Sequence, residues 1–192
     1  MISEKLYAVL SAIKPISERF SRAIDKEMTS MPLPKNYFLL EAPRVADHAF
    51  FLETGFALSY SFINGKKQVE NFWQEGDIIL PAKSFFERTP SEQFIILVQE
   101  SEVLHISYSS VMKLFVKFPV AHHIARSVMS SYQERCRERM TDIQHYEAFD
   151  RYMKLIHEYP SAEQAVSQED IASYLSITPQ SLSRIKRKQD SR

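Results

Sequence analysis

The stretch at residues 167–188 limits the possible folds of this chain more than any other, because it has the pattern of two short helices joined by a tight turn. Ser167 can cap the first helix through its side-chain oxygen. Thr178 can cap the second, and Pro179 then stands at the first helical position, where a missing N–H costs nothing. The small side chain of Ala172 lets two helices approach closely. We therefore predict a helix-turn-helix in this stretch.

The predicted second helix has one apolar face and one basic face. Leu182 and Ile185 lie three residues apart, so at about 100° per residue both can face the first helix. The opposite face is polar and basic, as in a helix that enters the major groove of DNA. The predicted base contacts are Gln180, Ser183 and Arg184, and the predicted phosphate contacts are Ser181, Arg187 and Lys188. An ordinary helical hairpin with a solvated basic end is the alternative interpretation.

This motif resembles the helix-turn-helix of the Crp/Fnr family of bacterial transcription regulators. The matching residues are Ile171-Ala172, Leu175, Ile177-Thr178 and Ser181-Leu182-Ser183-Arg184-Ile185. One departure is Ser176, where the family usually has glycine, which adopts a positive φ at little cost. A second departure is the ending, because many members continue into a β-hairpin wing and only residues 189–192 remain here. The resemblance therefore implies a DNA-binding domain that lacks a full wing.

Residues 37–107 have the pattern of an antiparallel sheet, with short aromatic and β-branched runs separated by turn residues. Asn64-Gly65 is the strongest hairpin signal, because a type I′ turn needs two residues that tolerate a positive φ. The predicted strands are Tyr37–Glu41, Ala49–Glu53, Phe56–Ile63, Gln68–Trp73, Asp77–Leu80, Phe94–Gln99 and Val103–Ser107. Several short strands at this spacing close most easily into a small barrel or roll.

The strand region also resembles the Crp/Fnr pattern, in which a β-roll related to cyclic-nucleotide-binding domains precedes the DNA-binding part. The matching stretches are residues 50–55, 64–66, 72–77, 84–86 and 90–91. The implied fold class is α+β: an N-terminal antiparallel β-roll of the jelly-roll or double-stranded β-helix kind with flanking helices, a long dimerisation helix and a C-terminal helix-turn-helix domain. The corresponding predicted domains are residues 1–118, 119–147 and 148–192.

Helical periodicity is predicted on both sides of the strands. Apolar residues recur at helical spacing over residues 2–28, which Pro15 divides into two helices, and again over residues 109–118 and 148–159. A further stretch, from residue 120 to about 146, contains no glycine or proline. It carries a narrow apolar seam formed by Ile124, Val128, Tyr132, Cys136, Met140 and Ile143. Such a seam suits a paired helix in a homodimer, as the resemblance also implies. Packing of the seam on its own domain is the alternative.

The resemblance places an effector pocket around residues 76–91. The pocket residues that it implies are Gly76, Asp77, Ser84, Phe85, Arg88, Pro90 and Ser91. Family members that bind cyclic AMP hold its phosphate with an arginine followed by a small residue, whereas this chain has Pro90 followed by Ser91. A buried phosphate without a cationic partner is costly, and we interpret Arg88 as an exposed loop residue rather than a substitute. We therefore expect no cyclic AMP binding and leave open an unknown small-molecule effector, or none.

The composition excludes several other functions. Lysine and arginine number 24 and so do aspartate and glutamate, so the formal net charge is zero and any affinity for DNA must come from local asymmetry. The C-terminal residues supply this asymmetry, with Arg184, Lys186, Arg187, Lys188 and Arg192 against Asp190. The single cysteine, Cys136, cannot form an internal disulfide or hold an iron–sulfur cluster.

Sequence motifs of enzymes, metal sites and membrane segments are missing as well. The six histidines follow no metal-binding spacing, and the chain has no nucleophile elbow or phosphate loop. We therefore predict no catalytic residue, no metal and no cofactor. No apolar run is long enough to cross a bilayer, and the N-terminus has no signal-peptide pattern, so we expect a cytoplasmic protein with no membrane partner.

These features together predict a homodimeric transcription regulator that binds double-stranded DNA sequence-specifically. The alternative is a signalling module that binds a small molecule or a protein through its β-roll and does not bind DNA. The missing wing and the neutral net charge favour this alternative.

Overall fold

The computed structural model describes residues 3–190, which form nine helices and eight strands. The helices are α1 (Glu4–Ile13), α2 (Glu18–Glu27), α3 (Ala82–Glu87), α4 (Tyr108–Lys117), α5 (Pro119–His145), α6 (Ala148–Glu158), α7 (Ala162–Ala165), α8 (Gln168–Tyr174) and α9 (Pro179–Asp190). The strands are β1 (Met28–Leu33), β2 (Phe38–Leu40), β3 (His48–Thr54), β4 (Phe56–Ile63), β5 (Lys66–Gln74), β6 (Ile78–Ile79), β7 (Phe94–Leu97) and β8 (Ser101–Ser107). Strand β1 and the short helices α3 and α7 are additions to the predicted elements.

The strands form two four-stranded antiparallel sheets around a common core. Their strand orders are β1-β8-β3-β6 and β2-β7-β4-β5. Side chains from both sheets, such as Leu52 of β3 and Trp73 of β5, pack together with Phe85 of α3 in this first core. The α+β fold with an antiparallel β-roll is therefore confirmed.

The hairpin between β4 and β5 forms where the sequence predicts it. Asn64 and Gly65 have φ values of 52° and 74°, the two positive values that a type I′ turn requires. Ile63 and Lys66 pair on either side of the turn, and β4 has the predicted bounds. The resulting long β5 is the strand on which the C-terminal helices pack.

A second core lies between the N-terminal helices, the sheet that contains β3 and the helix pair α4 and α5. Leu6 and Phe20 of α1 and α2 are buried there against Phe51 of β3. Serine side chains cap both N-terminal helices, since Ser3 accepts a hydrogen bond from the backbone of Leu6 and Ser17 one from that of Phe20. The N-terminal helices and the start of α5 thus form one packed layer outside the roll.

A third core joins the roll to the C-terminal helices. Phe56 of β4 and Phe72 of β5 pack in it with Tyr152 of α6, Ile171 of α8 and Leu182 of α9, and each of these side chains is buried. The helix-turn-helix therefore shares its core with the roll instead of enclosing a separate one. The third core therefore contains residues of both the predicted domain 1–118 and the predicted domain 148–192.

Within residues 3–190, no helix is both long enough and apolar enough to cross a membrane.

Candidate nucleic-acid interface and effector pocket

The helix-turn-helix has the local geometry that its sequence predicts. Ser167 accepts a hydrogen bond from the backbone N–H of Asp170 at 3.1 Å, and Thr178 accepts one from that of Ser181 at 3.2 Å. Pro179 is the first residue of α9. The turn passes through Ser176, whose φ of 55° lies in the left-handed region that favours glycine. The departure from the Crp/Fnr pattern at this position therefore coincides with a strained backbone.

Helix α9 turns its apolar face inward and its polar face outward. Leu182 is fully buried against α8, and Ile185 packs beside it. The predicted DNA contacts divide by exposure: Gln180, Arg184, Arg187 and Lys188 are exposed, whereas Ser181 and Ser183 are half-buried. The structure thus brings all six predicted DNA contacts onto one short helix, with the four longest side chains in solvent.

Some of these polar side chains already have partners within the chain. The Ser183 hydroxyl donates to the carbonyl of Pro179 at 3.0 Å, and the Arg187 Nε donates to the carbonyl of Ser183 at 3.4 Å. Lys186, part of the predicted basic cluster, forms an ion pair of 2.6 Å with Glu163 and is therefore held away from the exposed face. Arg192, another member of that cluster, lies outside the described residues. Arg184 is exposed on the outer surface of the helix.

Helix α8 is docked on β5 through hydrogen bonds to the strand backbone. The Ser173 hydroxyl accepts a hydrogen bond from the N–H of Val69 at 2.9 Å and donates one to the carbonyl of Lys67 at 3.2 Å. The Gln68 side chain donates to the carbonyl of Ser173 at 2.9 Å, and Lys67 forms an ion pair of 2.6 Å with Asp170. This network fixes the orientation of the helix-turn-helix on the roll.

Arg139 of α5 links α8 to β5 at the same place. Its guanidinium donates to the carbonyl of Tyr174 at 2.7 and 3.0 Å, to that of Val69 at 3.1 Å and to that of Glu70 at 3.3 Å. It also lies over the Tyr174 ring, with 4.4 Å from Cζ to the ring centroid. Burial lowers the pKa of Arg139. Burial also raises the pKa of Tyr174 to about 12, although the nearby charge of Arg139 acts to lower it. One half-buried cation therefore holds three elements together.

A cavity of about 540 Å³ lies between the roll and α5. Of the predicted pocket residues it contacts Ser84, Pro90 and Ser91, and it does not contact the other four, Gly76, Asp77, Phe85 and Arg88. The Ser84 hydroxyl donates to the carbonyl of Thr89 at 2.6 Å and accepts from the N–H of Ala46 at 2.9 Å, so it is engaged within the protein. Phe85 points into the first core instead.

Arg88 is held on the far side of the pocket wall. Its guanidinium donates to the carbonyl of Ala46 at 2.7 Å, pairs with Asp47 and lies 4.4 Å from the centroid of the Tyr108 ring. These three contacts occupy the guanidinium outside the lining of the cavity. Pro90, which has no side-chain donor, occupies the pocket in its place.

Most of the cavity lining lies outside the predicted set. The additional aromatic and polar residues are Trp73, Phe86, Gln93, Tyr132 and Gln133, and the charged ones are Lys83, Arg135, Glu87 and Glu92. Of these, Tyr132 lies in the predicted apolar seam, and Trp73 and Phe86 lie in stretches that match the Crp/Fnr pattern. The lining as a whole comes from four separate segments that meet only in the fold. Two cations and two carboxylates leave the lining without a net formal charge.

The Tyr132 hydroxyl accepts a hydrogen bond from the Asn71 side chain of β5 at 2.9 Å, and burial raises the pKa of Tyr132. One turn later, Arg135 lies 3.8 Å from Asp77. Burial raises the pKa of Asp77, partly opposed by a hydrogen bond from the backbone N–H of Gln74 and by the charge of Arg135. The same face of α5 therefore lines the cavity and, four residues further on, carries Arg139.

The predicted dimer seam faces its own subunit at its N-terminal end. Ile124 is only 9% exposed and packs in the second core with Val128 beside it. Tyr132, Cys136 and Ile143 are half-buried, whereas Met140 is 63% exposed. The seam thus differs from a face left free along its whole length, because the N-terminal helices and the roll cover its first half.

Across residues 3–190, no group of three or more His, Cys, Asp or Glu side chains is arranged to hold a metal ion.

No protein-family model and no curated protein matches the chain by sequence. Solved structures do match it. FixK2 from Bradyrhizobium japonicum has a TM-score of 0.72 at 17% identity over 85% of each chain. The c-di-GMP responsive global regulator CLP of Xanthomonas campestris has a TM-score of 0.70 at 14% identity, over 91% of this chain and 92% of that one. A protein described as a transcriptional regulator of the Crp/Fnr family, from Eubacterium rectale, has a TM-score of 0.73 at 13% identity, over 92% and 84%.

Each of the three matches covers most of this chain. At such identities the likeness concerns the fold, and it agrees with the motifs found in the sequence. The chain therefore has the Crp/Fnr-like fold, a cyclic-nucleotide-binding-like β-roll followed by C-terminal helices.

Proposed function

We propose that this protein is a sequence-specific, double-stranded-DNA-binding transcription regulator. The observation that carries the proposal is the outer face of α9, where Gln180, Arg184, Arg187 and Lys188 are exposed on a helix whose other face is buried by Leu182. A short exposed basic helix at the end of a helix-turn-helix fits the major groove. The first turn of α9 adds backbone N–H donors for a phosphate.

The six predicted contacts have different roles in this proposal. Arg184 is long enough to donate to both O6 and N7 of a guanine, and Gln180 and Ser183 read neighbouring bases. Ser181, Arg187 and Lys188 contact phosphates, which fix the position of the helix without reading sequence. The salt-dependent part of the affinity then comes from Arg187 and Lys188.

We further propose that the protein acts as a homodimer through α5. The first half of the seam is covered by its own subunit, so pairing relies on the second half, where Met140 is 63% exposed and Tyr146, just after α5, is 56% exposed. Two copies paired along this helix would present two α9 helices to the half-sites of a palindrome about one helical turn apart.

For the cavity between the roll and α5, we propose a small effector without net charge. The charges of its lining cancel, Pro90 offers no donor, and Arg88 is engaged with Ala46, Asp47 and Tyr108. Cyclic AMP is not the expected ligand, because its phosphate would be buried without a dedicated cation. An effector there would contact α5 one turn before Arg139 and could bias how the helix-turn-helix is held.

Selection of bound duplexes from a random pool tests DNA binding directly. Enrichment of a palindromic sequence is the expected result. No retention of any duplex at low salt would refute the proposal and favour a signalling module that binds a small molecule or a protein.

A matched pair of variants then separates the roles of two exposed residues of α9. Arg184→Ala should weaken binding to the selected site by about 1–3 kcal/mol and relax selectivity at one base position. Lys188→Ala should weaken all duplexes alike and reduce the slope of log K against log salt by about 0.9. An unchanged sequence preference in the first variant, or an unchanged slope in the second, would remove that residue from the proposed interface.

A further inference from the structure

Two histidines from neighbouring strands lie on one face of the sheet that contains β3. His48 is the first residue of β3, and His105 belongs to β8, which pairs with β3. In the register of this antiparallel pair, His48 lies opposite Ser107 and His105 lies opposite Phe50. The two histidines are therefore diagonal neighbours, and the alternation of side chains along each strand places them on the same face.

The distance between the two rings is that of two ligands on one metal ion. The ring centroids of His48 and His105 are 5.0 Å apart, and the ring planes are inclined by 67°. Metal–nitrogen bonds of about 2.0–2.1 Å and a tetrahedral angle place the centroids of two ligating imidazoles about 5 Å apart. One ion can therefore bind both rings while the strands keep their positions, since each ring needs only a rotation about its own side-chain bonds.

Both rings are accessible and have no polar partner. Each histidine is half-buried, and within residues 3–190 neither imidazole takes part in a hydrogen bond or an ion pair. The ring contacts are between the two histidines and between His48 and Phe50. Burial lowers the pKa of His105, and the nearby charge of His48 acts in the same direction. At neutral pH His105 is therefore mostly in the neutral form, which is the form that binds metal.

The donor atoms select the kind of ion. Imidazole nitrogen suits zinc, copper and nickel, whereas Mg²⁺ and Ca²⁺ prefer oxygen ligands. No third His, Cys, Asp or Glu in the described part of the chain joins the pair to form a larger group of ligands. Two positions of a tetrahedral ion are then left to water, which reaches the half-buried rings from solvent.

We propose that His48 and His105 form a binding site for a divalent transition-metal ion such as Zn²⁺, with water as the remaining ligands. The inference does not depend on whether the protein binds DNA. A bound ion would join β3 to β8 next to the start of α4 and would stabilise the folded state by mass action. Sequence spacing does not indicate the site, because the two ligands come from different strands.

A zinc titration of the full chain, labelled with ¹⁵N at the histidine side chains, tests the proposal at neutral pH. Long-range ¹H–¹⁵N spectra report the ring nitrogens of each histidine separately. We expect the His48 and His105 signals to shift together and to saturate at one ion per chain. The exposed His145 and His157 should respond only at higher zinc concentration, because each lies alone on its helix.

A joint, saturable shift that excess chelator reverses supports the proposal. The absence of a shift at His48 and His105 overturns it, as does a shift of either one at the same concentrations as His145 and His157. The same shifts with Mg²⁺ would show a general response to charge and would also overturn it. This wild-type measurement decides the question even if a variant does not fold.

Variants test the two ligands further. His48→Ala and His105→Ala should each weaken zinc binding about tenfold or more, since even an outer-shell partner of a ligand contributes that much. The matched control His157→Ala, on the exposed side of α6, should leave the affinity unchanged. Unaltered zinc binding in a folded His105→Ala protein would overturn the proposal.

Discussion

Replacement of Arg139 should loosen the packing of α8 on the β-roll without disturbing the roll itself. The guanidinium donates to the carbonyls of Tyr174 on α8 and of Val69 and Glu70 on β5, and lies over the Tyr174 ring. Alanine would leave these carbonyls without the cation that now joins them.

The expected magnitude follows from these contacts. A hydrogen bond to a charged group contributes about 1.5–3 kcal/mol, but the contributions are not additive, and the burial that lowers the pKa of Arg139 offsets part of them. We expect Arg139→Ala to lower the free energy of unfolding by about 3 kcal/mol. Arg139→Lys should lower it by about 2 kcal/mol, because an ammonium cannot reach three carbonyls or stack on Tyr174 as the planar guanidinium does.

Urea unfolding measures the magnitude, and amide hydrogen exchange measures the location. The N–H of Val69, which donates to the Ser173 hydroxyl, should exchange faster in Arg139→Ala, together with the amides of α8. Arg137→Ala is the matched control, because Arg137 is exposed on the same helix and pairs only with Glu134 one turn away. Its free energy of unfolding should change far less than that of Arg139→Ala, because an exposed ion pair contributes little to stability.

Unchanged exchange at Val69 and in α8 would refute the assigned role even if the protein were destabilised. A loss as small as that of Arg137→Ala would refute the estimated magnitude. Either result would mean that the shared core, rather than Arg139, holds the helix-turn-helix in place.

Two further predictions concern the turn of the helix-turn-helix and the carboxyl group of Asp77. Ser176→Gly should stabilise the protein by about 1 kcal/mol in urea unfolding, because glycine adopts the left-handed backbone of this turn without strain. The control Ser130→Gly, within α5, should destabilise the protein. A loss of stability in Ser176→Gly would contradict the inferred strain. Burial raises the pKa of Asp77 above 3.8, so the folded state binds this proton more tightly than the unfolded state does. The free energy of unfolding of the wild-type protein, compared with that of Asp77→Asn, should therefore fall as the pH rises from about 3.8 towards 7. A constant difference between the two proteins over that range, measured by urea unfolding, would contradict the shift.

Local sequence signals predicted the regular elements well where one interaction decides the structure. The Asn64-Gly65 turn has a specific requirement for positive φ, and it fixed the hairpin. The absence of glycine and proline over residues 120–146 indicated a single long helix, and α5 spans Pro119–His145. Side-chain caps at Ser167 and Thr178 located both helices of the C-terminal motif.

Three elements, β1, α3 and α7, were not predicted, and the support of β1 and α3 is not local. Strand β1 contains Pro32, pairs with β8 and lies at the edge of its sheet, where a proline can lack a donor. Helix α3 is six residues long and has no side-chain cap, so its apolar residues gave no helical signal of useful length.

The sites were harder to predict because their residues come from distant segments. Periodicity identified the apolar face of α5, but it could not tell whether a second subunit or the chain itself covers Ile124. The pocket lining combines residues from β5, α3, the approach to β7 and α5, and no spacing rule connects these segments. The hydrogen bonds of Arg139 are accepted by backbone carbonyls, which every residue has, so the sequence of β5 does not indicate them.

The docking of α8 also protects the edge of the sheet at β5 from pairing with strands of other chains. Strand β5 is the last in its sheet, and its outward backbone groups at Lys67, Val69 and Glu70 are satisfied by Ser173 and Arg139. A sheet edge without such cover presents free N–H and C=O groups to which another strand can add, which is a common route to aggregation. Any state in which the helix-turn-helix swings away from the roll therefore needs a new cover for β5, and the docked state keeps this edge closed to other chains.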